Sequence, residues 1–269
     1  RVAPEAVVLL PGVVPGFNLA GRAVTVPGDG LLMQTPIYPP ILRAPANLGL
    51  TRQAVDLVRQ ADNSYAIDFD AFEAAITERT RMFLLCNPHN PTGRVFRLEE
   101  LTRMAAICLR HNLLICSDEI HCDLVFQGHP HVPIAALAPE IAERTITLMA
   151  PSKTYNLAGL KCAFAVIPGQ SLREKFLAMR LDLVQGLPNI LGYLAALVAY
   201  REGQPWLEQV LGYLEGNRAC VRDYVAAHMP RLSATTPEGT YLTWLDCRQA
   251  GIPQDDPYTL FLERAGVAL

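Results

Sequence analysis

The chain has 269 residues, about half of them apolar, a formal net charge of −3 and seven cysteines. That is enough for a sizeable core, either as one large domain or as one domain with part of another. The slight acidity leaves no basic footprint for nucleic acid, no apolar run reaches the roughly 18 residues of a membrane-crossing helix, and the odd cysteine count argues against a disulfide framework.

In chain order, apolar runs predict strands at Val7–Leu10, Gly30–Gln34, Arg81–Cys86, Leu113–Ser117, Thr145–Met149 and Leu160–Val166. Ala54–Gln60, although charged, reads as one more. Asp68–Thr77 reads as a short helix begun by an acid. Leu98–His111 has the apolar spacing of a longer helix, with Glu99 and Glu100 at its positive end. This alternation predicts an α/β fold, a mainly parallel sheet flanked by helices. A helical region follows, broken at Gly186-Leu-Pro188 and Gly203-Gln-Pro205, and Trp206–His228 is long enough to join two domains. Leu232–Arg248, with Gly239-Thr-Tyr-Leu-Thr-Trp-Leu-Asp246, reads as strands of an α+β part, followed by a helix from Pro257. We place a boundary near residue 205, with a large domain over 1–205 and part of a smaller one over 206–269. Both ends read as cut from a longer polypeptide, and the first residues lack the pattern of a signal peptide. Most cysteines sit in apolar surroundings, which suits reduced thiols and a cytoplasmic location.

Polar clusters follow three of the predicted strands. They are Leu84-Leu-Cys-Asn-Pro-His-Asn-Pro-Thr-Gly93, Leu113-Leu-Ile-Cys-Ser-Asp-Glu-Ile-His121 and Ala150-Pro-Ser-Lys-Thr-Tyr-Asn-Leu-Ala-Gly-Leu-Lys161. In an open α/β sheet ligands bind beyond the carboxyl ends of the strands, so the three clusters should meet at one crevice. Lys153 would emerge there with little water around it, and desolvation favours the neutral, nucleophilic amine. A solvated loop lysine is the plainer alternative. Leu10-Pro-Gly-Val-Val-Pro-Gly-Phe-Asn18 reads as a strand-to-helix turn, with Pro15 at the first helical position and the amides of Gly12, Val13 and Val14 open to an anion. Cys116 and Cys122 bracket Asp-Glu-Ile-His but match no zinc spacing, so no metal is expected.

The ordered set Asn-Pro-x-Asn-Pro-Thr-Gly, Asp-Glu-Ile-His and Ser-Lys-Thr-Tyr-Asn resembles the pyridoxal-phosphate enzymes of fold type I, the aspartate-aminotransferase superfamily. It is most similar to the cystathionine β-lyase branch, the MalY/PatB-type C–S lyases, over nearly the whole chain. The resemblance implies pyridoxal 5′-phosphate as cofactor, a small amino-acid substrate and a homodimer. It implies Lys153 as the amine that holds the cofactor aldehyde and then moves the substrate Cα proton, and Asp118 as the acid that keeps the pyridine nitrogen protonated. Asn90 and His121 would face the phenolic oxygen, Tyr38 would lie on the ring, and Gly12, Val13, Val14, Ser152 and Lys161 would surround the phosphate. Many relatives carry Arg at the Lys161 position and Ser at the Ala150 position, so the phosphate shell differs here, and a lysine offers a point charge without a fork. Asn87 reads as a supporting turn residue, and Tyr241 and Trp244 as core. The implied activity is C–S β-lysis. An aminotransferase and a cofactor-binding regulator are the alternatives.

Overall fold

Seven strands form the central sheet of the computed structural model, which describes residues 2–183, 188–251 and 257–268. They are β1 (Val7–Leu10), β2 (Gly30–Thr35), β3 (Thr51–Asp56), β4 (Thr80–Cys86), β5 (Leu114–Asp118), β6 (Thr145–Met149) and β7 (Ala163–Val166). Their spatial order is β1-β7-β6-β5-β4-β2-β3. The run from β3 to β6 is parallel throughout, and β7 lies antiparallel between β6 and β1. The helices are α1 (Val13–Val24), α2 (Pro39–Leu48), α3 (Phe69–Ala74), α4 (Leu98–Arg110), α5 (Pro139–Ala142), α6 (Pro151–Thr154), α7 (Gln170–Leu183), α8 (Ile190–Glu202), α9 (Gln204–His228) and α10 (Pro257–Ala265).

The central strands are largely apolar and buried because both faces are covered. Alternate residues feed two cores. Leu31, Met33, Leu84 and Leu148 pack with Phe17 of α1, Ile41 of α2 and Phe176 of α7. Leu32, Phe83, Leu85 and Ile115 pack with Phe72 of α3 and with Leu101 and Met104 of α4. Local signals set the helix starts. The Asp68 carboxylate accepts the N–H of Ala71 at 2.9 Å, and Glu100 reaches back to the N–H of Arg97 at 2.8 Å.

Four predicted elements change. The strand expected at Ala54–Gln60 begins earlier, at Thr51, and stops at Asp56; as an exposed edge strand it carries little apolar patterning. Val58–Arg59 then pairs separately with Tyr65–Ala66. The strand expected from Leu160 starts at Ala163, because Ala158–Leu160 is a tight turn and Lys161 is left-handed at φ 53°. Pro15 is the third residue of α1, not the first, a position whose missing N–H still costs the helix no bond. Most of Gly239–Asp246 is loop: only Ser233–Ala234 and Leu245–Asp246 pair as strands. Its backbone groups are satisfied elsewhere, with the Glu238 and Gly239 N–H groups on Gly93 O and the Thr240 N–H on Leu124 O. Gly203 caps α8 as α9 begins, whereas the break expected at Gly186 and Leu187 lies outside the described residues. Among the described residues no helix is long and apolar enough to cross a membrane.

Candidate active site

β1 and β6 both run antiparallel to β7, so the carboxyl ends of β1, β2, β4, β5 and β6 open on one edge of the sheet. Asp118 is the last residue of β5, in register with Cys86 on one side and Leu148 on the other. Only 4% of it is exposed. Burial pushes its carboxyl up to about 7, and Glu119 adds to the rise, while the Ile120 amide (3.2 Å from Oδ1) and Lys153 oppose it. A buried acid of this kind needs a cationic partner to ionise comfortably.

The turn after β4 is braced through Asn87. Its N–H donates to Asp118 O at 3.0 Å, its Oδ1 accepts from Phe96 N at 3.0 Å, and its Nδ2 lies 3.4 Å from His131 Nδ1. His131 Nε2 in turn donates to Glu119 Oε2 at 2.9 Å, and the Ser117 hydroxyl donates to Glu119 Oε1 at 2.8 Å. This buried chain fixes the Asn90 loop against the end of β5. It was not legible in the sequence beyond the supporting role of Asn87, because His131 lies in no motif and the Asp-Glu-Ile-His motif does not say what Glu119 bonds. Asn90 O accepts the Tyr38 N–H at 3.1 Å, which ties the β2 loop to the same turn.

His121 follows β5 on a tight turn and is 3% exposed. Burial first, and then Lys153, lower its pKa to about 4, so the imidazole is neutral at pH 7. Its Nδ1 is buried without a hydrogen-bond partner among the described residues. Lys153 stands on α6, one turn past β6, and is half-buried where the sequence suggested fuller desolvation. The Thr154 hydroxyl donates to Asp123 Oδ2 at 2.9 Å and anchors that turn.

Two adjoining cavities gather these groups. One of about 100 Å³ is lined by Tyr38, Asn90, Asp118, His121 and Lys153, with Cys86 and Ile120. The other, of about 400 Å³, is lined by Gly12, Ser152, Lys153, Lys161 and Ala150. Val13, Val14, Tyr38 and Lys153 border both. All ten residues singled out from the sequence therefore meet at one crevice. A larger cavity, about 540 Å³, lies elsewhere around Glu5, Thr147 and Arg173, and it brings together no comparable set of nucleophile, buried acid and open amides. Size loses to chemistry here.

The crevice suits a planar, anionic aldehyde. Within the larger cavity the N–H groups of Gly12, Val13 and Val14, at the start of α1, meet no protein acceptor among the described residues, and Ser152 and Lys161 stand alongside. In the smaller one the Lys153 amine, the His121 imidazole and the buried acid Asp118 line the same space. No arginine lines either cavity among the described residues.

The model of the aminotransferase class I and II family matches residues 1–268. The chain belongs to that family. Among its members, the cystathionine β-lyase PatB of Bacillus subtilis is 35% identical over 270 residues, which is 100% of this chain and 70% of PatB. The crystal structure of OvoB superposes with a TM-score of 0.94 at 43% identity, covering 100% of this chain and 69% of OvoB. Cystalysin from Treponema denticola, whose structure contains pyridoxal 5′-phosphate, superposes with a TM-score of 0.95 at 32% identity, covering 100% of this chain and 68% of cystalysin. The mainly parallel sheet with helices on both faces is the fold these class I/II proteins share.

One contact falls outside both the motifs and the sequence expectation. Tyr241, read as core, is 44% exposed, and its ring packs edge-on against His121. Nothing local to Tyr241 could have indicated this, since the partner lies in a distant part of the chain.

Proposed function

We propose that this class I/II chain is a pyridoxal-phosphate-dependent carbon–sulfur β-lyase, cleaving cystathionine or another cysteine S-conjugate to a thiol, pyruvate and ammonia. The observation that carries the reading is the convergence of Lys153, Asp118, Asn90, His121 and Tyr38 on one cavity whose neighbour offers open amides, Ser152 and Lys161. Lysis is favoured over amino-group transfer by the likeness to PatB.

Bound in the crevice, pyridoxal phosphate supplies an aldehyde for the substrate amine and a conjugated ring that takes up electrons from Cα. Lys153 Nζ holds that aldehyde at rest and then carries the proton from substrate Cα. Asp118, its carboxyl raised by burial, would ionise against the ring nitrogen and keep that nitrogen protonated. Asn90 and His121 present polar atoms to the phenolic oxygen, and Tyr38 covers a face of the ring. The amides of Gly12, Val13 and Val14, with the Ser152 hydroxyl and the Lys161 ammonium, hold the phosphate. Lys161 is exposed and left-handed, so it acts as a peripheral charge rather than a clamp.

The division near residue 205 and a homodimer belong to the same reading. The long α9 supports the first, leading from α8 to the Ser233–Ala234 strand. The exposed apolar side chains of Ile190, Leu191 and Leu194 on α8 support the second, as a face that a second copy would bury. The cysteines, all free, suit a reducing cytoplasm.

The test is the protein with added pyridoxal 5′-phosphate and cystathionine, followed for pyruvate and free thiol. Matching yields of both are expected. A keto acid that retains the sulfur chain, with no thiol released, would make it an aminotransferase. Cofactor binding without turnover would make it a regulator.

A further inference from the structure

A histidine ring is usually held in one rotation by a hydrogen bond to one of its nitrogens. His121 has no such bond at Nδ1, which is buried and unpartnered among the described residues. Packing must therefore hold the ring. The packing partner is Tyr241, with ring centroids 5.5 Å apart and planes at 76°, an edge-to-face pair.

Tyr241 is delivered by an unusual piece of backbone. Thr240, fully buried, has a φ of 68°, a left-handed conformation that a β-branched residue avoids. Its N–H donates to Leu124 O at 2.7 Å, and its hydroxyl accepts from Leu242 N at 3.1 Å. The N–H groups of Glu238 and Gly239 both reach Gly93 O, at 2.8 and 2.9 Å. The Glu238 carboxylate accepts from Val95 N at 2.8 Å and from Arg94 Nε at 3.2 Å. Leu124 lies in the turn whose N–H closes on His121 O, and Gly93 closes the Asn90 loop. Backbone strain of this kind survives only where the surroundings over-determine it. Here the fastenings are the two turns that carry pocket residues.

We propose that Tyr241 is a positioning residue for His121, with Glu238–Leu242 as a backbone clasp that fixes its ring against the imidazole and so holds that imidazole in the cavity wall for the bound cofactor. The inference rests on the reading of the crevice as a pyridoxal-phosphate site. Because Tyr241 is 44% exposed and belongs to neither core cluster, shortening it removes the ring contact while leaving the core intact. The charged groups that share the cavity with His121 are Lys153 and Asp118.

The experiment compares Tyr241→Phe, Tyr241→Leu and Tyr241→Ala with the parent chain. Three readouts are the dissociation constant for pyridoxal 5′-phosphate, the titration midpoint of His121 in the cofactor-free chain, and the thermal midpoint. The His121 signal is followed by NMR with labelled histidine and assigned by its loss in His121→Gln. Tyr241→Leu and Tyr241→Ala are expected to weaken cofactor binding about fivefold, the scale of one aromatic pair. They should also raise the His121 midpoint towards the ordinary range while the thermal midpoint stays at the parent value. Tyr241→Phe should match the parent in all three. Tyr241→Leu covers the case in which the alanine variant does not fold. A parental His121 midpoint in Tyr241→Leu overturns the proposal, and so does a loss in Tyr241→Phe as large as in Tyr241→Leu. If the parent chain itself binds no pyridoxal phosphate, the site reading fails, and the His121 titration still decides the role of Tyr241.

Discussion

Lys153 and Asp118 are separated in sequence and joined in space by a parallel register: the first follows β6, and the second ends the adjacent β5. Their side chains border the same cavity, and their roles can be removed one at a time. Lys153→Ala is expected to abolish borohydride-dependent fixation of the cofactor to the chain, read as the absence of added mass in the intact protein. Retention of that mass would assign the covalent role to another amine. Asp118→Asn keeps shape and loses charge. It should retain measurable cofactor while turnover falls by more than about a hundredfold, the scale at which a preorganised charge acts. A near-parental rate would remove Asp118 from the chemistry. These two residues were legible in the sequence because each follows an apolar run of strand length within a dense polar motif. Tyr241 was not legible, because its meaning lies in a contact with His121 that no local pattern encodes.

At the scale of elements, the strands that read most clearly were short runs rich in apolar residues. Val7–Leu10 and Thr145–Met149 fold over the predicted residues, the first as an edge strand that buries Val8 and Leu10, the second buried along most of its length in the middle of the layered sheet. The edge strand β3 was displaced because one side of it faces water and charge is tolerated there. The loop from Asn87 to Gly93 is an element in its own right. Both of its Asn–Pro bonds are cis, and Gly93 sits at φ 74°. A Cβ on Gly93 would lie 2.3 Å from Pro237 Cβ and 2.8 Å from Pro237 Cα, so the glycine is required both by its conformation and by the approach of the clasp. Gly93→Ala is expected to destabilise the protein by more than about 1 kcal/mol, measured by urea unfolding, and to weaken cofactor binding through the displaced loop. Unchanged stability would show that the clasp can move away freely. Arg94 reinforces the same junction, bonding Tyr65 O and, at 2.7 and 3.2 Å, the carboxylates of Glu100 and Glu238.

For the whole molecule, three buried groups set the response to pH in the absence of cofactor. His89, buried and depressed by Arg94, falls to about 3, and His121 falls to about 4, whereas Asp118 rises to about 7. Each histidine stays neutral in the folded chain but gains a proton on unfolding below its ordinary value, so its contribution is lost as pH falls from about 6.5. Asp118 acts in the opposite sense: its folded form holds a proton that the unfolded form releases, which favours the native state towards lower pH. Between roughly pH 4 and 6.5 unfolding thus binds two protons and releases one, and stability should fall by about 1.4 kcal/mol per unit of acidification. Urea unfolding of the cofactor-free chain at pH 7, 6 and 5 measures this, and His89→Gln should flatten the slope by about one proton. A flat or inverted profile in the parent chain would mean that the buried histidines are not neutral.

Apolar periodicity determined, from the sequence alone, the α/β class and most strand positions, and the family resemblance carried by the three polar motifs implied the ten residues around the crevice. Those features are local, because a strand and the turn behind it are written in adjacent residues. The tertiary structure alone decided how the pieces face one another. It bent Gly239–Asp246 out of a predicted strand, because its backbone groups found better partners on Gly93 and Leu124. It joined Asn87, His131 and Glu119 into one buried chain, and it set Tyr241 against His121. Such contacts pair residues far apart along the chain, and the surfaces that make them favourable exist only once the sheet has assembled.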